Sequence, residues 1–274
     1  MTLFALLIVM ALERVSKKSA MFHIATISQL YFKLWIDKGN LRDKPNYLWV
    51  VCIAAIPAIL CFMLFAWLPL FFELLVSILI LWVCLGCPVT RKTYRDYLAA
   101  ANRGDFQACS LHSMNFGNQG GELDNVGKQL VLVNYRQYTS VILFFVVLGA
   151  PGLVFYSIVK ELSIQCKEKH GRVEDETAAD KILFVLDWLP VRFTTFGFLI
   201  VGHFTNALSA WLHIVLETKI NTYDALAKVA VAAEDVSKCD KHLTEPLQLV
   251  KLVKRNVVFV LMAVAVATMV GLVR

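Results

Sequence analysis

The chain has 274 residues, of which 58% are hydrophobic and only 18% charged, and it carries a formal net charge of +6. A soluble domain of this length is less apolar and more charged, so the composition excludes an ordinary soluble domain and predicts an integral membrane protein. In such a protein the excess of Lys and Arg belongs to cytoplasmic loops and lipid headgroups, and nucleic acid is not an expected partner.

The first apolar stretch, Leu3–Leu12, is ten residues long. At 1.5 Å per residue it reaches roughly 15 Å, about half a hydrocarbon core, so it is expected as a partial span or as a helix packed among others. Glu13 and Arg14 close it. No basic residue precedes it and no A-x-A pattern follows, so the segment is expected to remain in the mature protein. Residues 20–36 place Ile24, Ile27, Tyr31, Leu34 and Trp35 at helical spacing, with Lys17, Lys18, Lys33 and Lys38 around them. That pattern suits either the membrane interface or packing against the rest of the protein.

Residues 48–87 hold one charge, Glu73, in forty positions. The run is too long for one span and about right for two, and Trp67-Leu68-Pro69 is the expected turn between spans at 48–66 and 70–87. The seven cysteines are scattered and odd in number, which argues against a disulfide framework. Cys84 and Cys87 form a C-x-x-C with no second ligand pair, so they read as packing residues on one helix face, and no metal site is expected.

Residues 88–138 are polar and predicted to be helical and cytoplasmic, with Tyr94, Tyr97, Leu98 and Ala101 on one face, Gly104 as a stop and Asp105 as the next N-cap. The glycine-rich 117–121 lacks the ending of a phosphate loop and reads as a turn. Residues 139–159 form a third span containing Gly149, Pro151 and Gly152. A charged connection at 160–181 leads to a fourth span at 183–206. Residues 217–255 are again a polar, helix-prone cytoplasmic segment broken at Pro246, and 256–273 is the last span. The expected architecture is therefore an all-α polytopic membrane protein, residues 1–274 forming a single membrane domain with about five spans plus the short N-terminal helix.

The fourth span is unusual because Asp187 and Arg192 lie inside it, with Pro190 between them. Fourteen Leu, Ile, Val or Phe residues lie between 182 and 204. They favour insertion by roughly 4–8 kcal/mol, and two central charges oppose it by about 2.5–3.5 kcal/mol each. The balance near zero means the segment needs shelter. The distribution of basic residues favours a crossing: 13–47 holds seven Lys and Arg, 88–138 holds six and 217–255 holds seven, so all three are expected inside, leaving 160–181 outside. Pro190 is expected to interrupt the helix, with Asp187 and Arg192 facing a polar cavity or each other. Two readings follow: a buried ion pair that fixes helix register, or a site for a charged ligand.

The segment 185–202, "VLDWLPVRFTTFGFLIVG", resembles the D-x-x-P-x-R-x-T stretch of the CobD/CbiB family of membrane proteins. "LGAPGLVFYSIVKEL" at 148–162 and "NRGDFQA" at 102–108 resemble two further stretches of that family, in the same order. The opening "MTLFALLIVMALER", "NYRQY" at 134–138 and "DWLPVR" at 187–192 are similar to its AmpE group. The resemblance implies an inner-membrane protein of the bacterial plasma membrane, linked to β-lactamase induction and cell-wall recycling. The cobalamin synthases of the family carry an acidic E-N-x-x-D cluster where this chain reads "VLVNYRQY", and a Ser-Pro-Asn-Ala-Gly segment where it reads "HFTNALSAWLH". Amide-forming synthase activity is accordingly the alternative, and regulation or signalling the main expectation.

The ligand-binding candidates are Asp187 and Arg192, joined by Glu13, Arg14, Asn134, Arg136 and Tyr156 from the resemblance or from position. Arg192 suits a phosphate or carboxylate, so an anionic small molecule or cell-wall fragment is the expected ligand. No catalytic residue is assigned, no cofactor is identified, and the lipid bilayer is the one partner the composition itself demands.

Overall fold

The computed structural model describes residues 2–15, 23–36, 47–117, 123–170, 177–234 and 243–271. Among these the secondary structure is helical. In chain order the helices are α1 (Thr2–Val15), α2 (Ile24–Ile36), α3 (Tyr47–Trp67), α4 (Leu70–Cys84), α5 (Pro88–Asn102) and α6 (Phe106–Met114). They continue as α7 (Val126–Asn134), α8 (Ser140–His170), α9 (Ala178–Val201), α10 (Phe204–Leu216), α11 (Thr222–Glu234) and α12 (Thr244–Met269). A 3-10 turn, Leu123–Asn125, precedes α7, and a π-helical turn, Tyr135–Thr139, joins α7 to α8.

Four described helical stretches are long and apolar enough to cross a membrane: α3, the stretch containing α4, the one containing α8, and α9. The side chains on α3 and α4 confirm the chemistry of that surface. Phe62, Trp67, Phe71 and Leu79 are all exposed, which water would penalise and hydrocarbon does not. α12 adds a further apolar stretch in its second half, after Arg255.

Local sequence explains most helix ends. Pro69 precedes α4 in extended conformation, and Glu73 sits in the first turn, where a carboxylate complements the helix dipole. Gly104 takes φ +71°, and the Asp105 carboxylate accepts the Ala108 N–H at 3.0 Å to cap α6. Thr177 and Asp180 cap α9 reciprocally: the Asp180 N–H donates to the Thr177 hydroxyl, and the Thr177 N–H donates to the Asp180 carboxylate, each at 3.2 Å.

Several expectations change. α9 runs through Pro190 without a break, because one missing N–H removes a single bond of a ladder that tertiary packing supports on both sides. The break lies instead in α8 at Gly149, whose φ of 70° and ψ of −167° only glycine adopts readily. Cys84 ends α4 whereas Cys87 precedes α5, so the pair does not share a helix face. Pro246 sits in the first turn of α12, where a missing N–H costs little, so it opens a helix rather than breaking one. The charged connection is largely helix: α8 extends to His170 and α9 begins at Ala178. The glycine-rich turn at 118–121 lies outside the described residues, as do Lys17, Lys18, Lys38 and Cys239.

The chain divides into two compact units. The first comprises Met1–Gly86, Val141–Asp187 and Ala267–Arg274; the second comprises Cys87–Ser140 and Trp188–Val266. In the first, Phe32, Val50, Ile53, Tyr156, Leu162 and Leu183 build the core. In the second, α7, α10 and α11 pack around Tyr135, Phe198, Leu226 and Leu252, and a smaller cluster gathers on Tyr97, Cys109 and Leu130. Tyr97 is fully buried with Tyr94, Leu98 and Ala101 beside it, as the helical spacing predicts. In this second cluster burial pushes the Cys109 thiol up from its ordinary pKa, with Asp105 adding to the shift, so Cys109 is a packing residue rather than a nucleophile.

Candidate functional site

In the first unit the polar chemistry gathers between α8 and α9. Asp187 is wholly buried, and its carboxylate accepts a hydrogen bond from the Tyr156 hydroxyl at 3.0 Å. Tyr156 is also wholly buried, and its ring stacks on Phe144 at 4.2 Å between centroids and 16° between planes. Burying a carboxylate requires such a donor, because desolvation otherwise costs several kcal/mol, of order 2–7 even for a neutral polar group. One turn along α8, Lys160 and Glu161 are both buried and lie 3.5 Å apart. Beyond them the Ser163 hydroxyl and the Lys167 ammonium reach Asp180 at 2.5 Å and 3.0 Å, tying the end of α8 to the capped start of α9. Two of the predicted residues, Tyr156 and Asp187, are thus brought together. Glu13 is buried on α1, whereas its neighbour Arg14 is exposed.

The second unit holds Arg192, Asn134 and Arg136. Arg192 is half-buried. Its guanidinium donates to the Trp188 carbonyl at 3.0 Å, to Ile214 at 3.4 Å and to Glu217 at 3.2 Å, and it lies 3.9 Å from the centre of the Trp188 ring. Ile214 and Glu217 are at the C-terminal end of α10, where carbonyls lack helical partners and the dipole favours a cation. Arg192 is therefore a capping group for α10. Asn134 turns its amide back on the Leu130 carbonyl at 2.8 Å. Arg136 lies in the π-helical turn, and its carbonyl accepts the Ser140 hydroxyl at 3.2 Å. Its Nε is buried and meets no hydrogen-bond acceptor among the described residues.

Two arrangements in this unit were not anticipated. Asn256 of α12 is wholly buried against Gly197 of α9: a Cβ on Gly197 would overlap the Asn256 amide and crowd Phe259. The only trace of this in sequence is an Asn at the start of the last apolar run, directly after Lys254 and Arg255. Separately, an open groove of about 600 Å³ lies among Asn125 and Lys128, Ala210 of α10, and Tyr223, Asp224, Ala227, Lys228 and Val231 of α11. Its lysines are a hundred residues apart in the chain, so no local pattern announces them. No group of three or more His, Cys, Asp or Glu among the described residues is placed to hold a metal.

Comparison with known proteins bears on both units. A family model described as "Regulatory signalling modulator protein AmpE" matches residues 1–273. Protein AmpE of Shigella flexneri is 26% identical over 213 residues, covering 72% of this chain and 74% of that protein. Cobalamin biosynthesis protein CobD of Chromobacterium violaceum is 30% identical over 171 residues, 58% of this chain and 54% of that protein. No solved structure matches. The match runs from the N-terminal helix through the buried Tyr156–Asp187 pair to the end of α12, and it establishes that this chain belongs to the AmpE family of membrane-embedded regulatory signalling modulators.

Proposed function

We propose that the protein is a multi-pass component of the bacterial inner membrane that regulates β-lactamase induction in step with cell-wall recycling, and that the Tyr156–Asp187 pair is the centre through which it does so. The observation that carries this reading is the complete burial of Asp187 in a helix suited to crossing a membrane. An ionisable group at such a position is expensive to maintain, and function is the default reason for keeping it. The ligand expected from Arg192, an anionic small molecule or cell-wall fragment, would have to compete with the three carbonyls that guanidinium already serves.

The test is complementation of a strain lacking the protein with wild type or Asp187→Asn, followed by β-lactamase induction with a β-lactam and quantification of the protein in the membrane fraction. The variant should reach the membrane at the wild-type level and lose its regulatory effect. An induction profile like that of wild type would remove Asp187 from the mechanism.

A second reading, amide-forming synthesis on a corrinoid acid, has its support in the similarity to the cobalamin protein. Incubating the purified protein with a corrinoid acid and an amino-alcohol phosphate, beside an active synthase, tests it; absence of product removes it.

A further inference from the structure

The groove between α7, α10 and α11 combines three properties. It is positively charged: Lys128 and Lys228 line it from two different helices, against one carboxylate, Asp224. It offers neutral polar groups as well, since Asn125 and Tyr223 complete its rim, and the Lys128 ammonium donates to the Asn125 amide oxygen at 3.2 Å. Its third wall, at Ala210, belongs to α10, a short apolar helix that follows directly on α9 and exposes Phe204, Leu212, Val215 and Leu216. A helix with those residues exposed fits the boundary between headgroups and acyl chains, with its apolar side in the lipid.

We propose that this groove seats the headgroup of an anionic phospholipid whose head carries free hydroxyls, of the phosphatidylglycerol type. The two ammonium groups receive the phosphodiester and Asp224 accepts a hydrogen bond from a headgroup hydroxyl, while the exposed apolar side of α10, facing away from the groove, holds that helix at the depth of the headgroups. Charge decides the class: two cations against one anion leave the groove net positive, so a zwitterionic choline head would bring a third cation to a site that already has two. The size of the cavity suits a head larger than a bare phosphate, because a volume of about 600 Å³ holds a glycerophosphate head with its hydroxyls.

Full-length protein reconstituted in nanodiscs containing equal phosphatidylcholine and phosphatidylglycerol is the material for the test, with bound lipid counted by native mass spectrometry after release. Wild type should retain phosphatidylglycerol in preference to phosphatidylcholine. Lys128→Ala and Lys228→Ala should each reduce that preference about fivefold, and Lys181→Ala, outside the groove, should leave it unchanged. Lys228 and Lys181 are exposed and Lys128 is half-buried at the groove, so folded variants are expected, and an unchanged thermal transition checks it. Equal retention of both lipids by wild type, or an undiminished preference in either Lys128→Ala or Lys228→Ala, overturns the proposal. So does binding of free glycerol phosphate to wild type in pure phosphatidylcholine discs with the same lysine dependence, which would assign the groove to a soluble phosphate.

Discussion

The Tyr156 hydroxyl donates to the Asp187 carboxylate at 3.0 Å, and neither side chain has any exposed surface. Tyr156→Phe removes this bond while keeping the ring that stacks on Phe144. The variant should lose about 1–3 kcal/mol, the range for stripping a donor from a buried polar or charged acceptor. Thermal unfolding in detergent measures it. A transition at the wild-type temperature would show that the hydroxyl contributes nothing to holding Asp187.

Gly197 and Asn256 form a packing pair in which one residue has no side chain so that the other can be buried. Gly197→Ala places a methyl against the Asn256 amide and Phe259. Overpacking of this kind costs roughly 1–3 kcal/mol, partly offset by about 1 kcal/mol of helix propensity gained over glycine. Adding Asn256→Ala should recover most of the loss, giving a coupling energy of opposite sign to the single costs. Additive effects of the two substitutions would contradict the contact.

Arg192→Gln tests the capping role. It removes the charge and most of the donors that serve Ile214 and Glu217. The expected loss is modest, about 0.5–1.5 kcal/mol, and local. Amide hydrogen exchange over 213–219 should accelerate about tenfold while exchange in α3 stays unchanged. Unchanged exchange at the end of α10, together with loss of signalling, would return Arg192 to the role of ligand clamp.

The topology expected from the Lys and Arg distribution is open to direct labelling. In a cysteine-free background, a cysteine replacing Lys181 should react with an impermeant maleimide added to intact cells, and one replacing Lys219 should react only after the inner membrane is opened. Both side chains are exposed, so access is not limited by burial. Labelling of both positions from the same side would mean that α9 does not cross.

The membrane class, the helical content and many of the helix ends were fixed by residue chemistry alone. Forty positions with a single charge cannot form a soluble surface, and Pro69, Gly104 and Asp105 act on the backbone within a turn of themselves. Local signals fail where a neighbouring element decides. Pro190 looks like a helix break in isolation, yet α9 passes through it, because the cost of one missing bond is spread over packing that the sequence does not display. Arg192 reads as a ligand clamp until the end of α10 is seen to supply its acceptors. Asp187 and Tyr156 are thirty-one residues apart, Gly197 and Asn256 fifty-nine, and Lys128 and Lys228 a hundred. Such partners are joined by helix packing, so composition and periodicity could announce that buried charge needs shelter, while only the tertiary structure decided which side chain provides it.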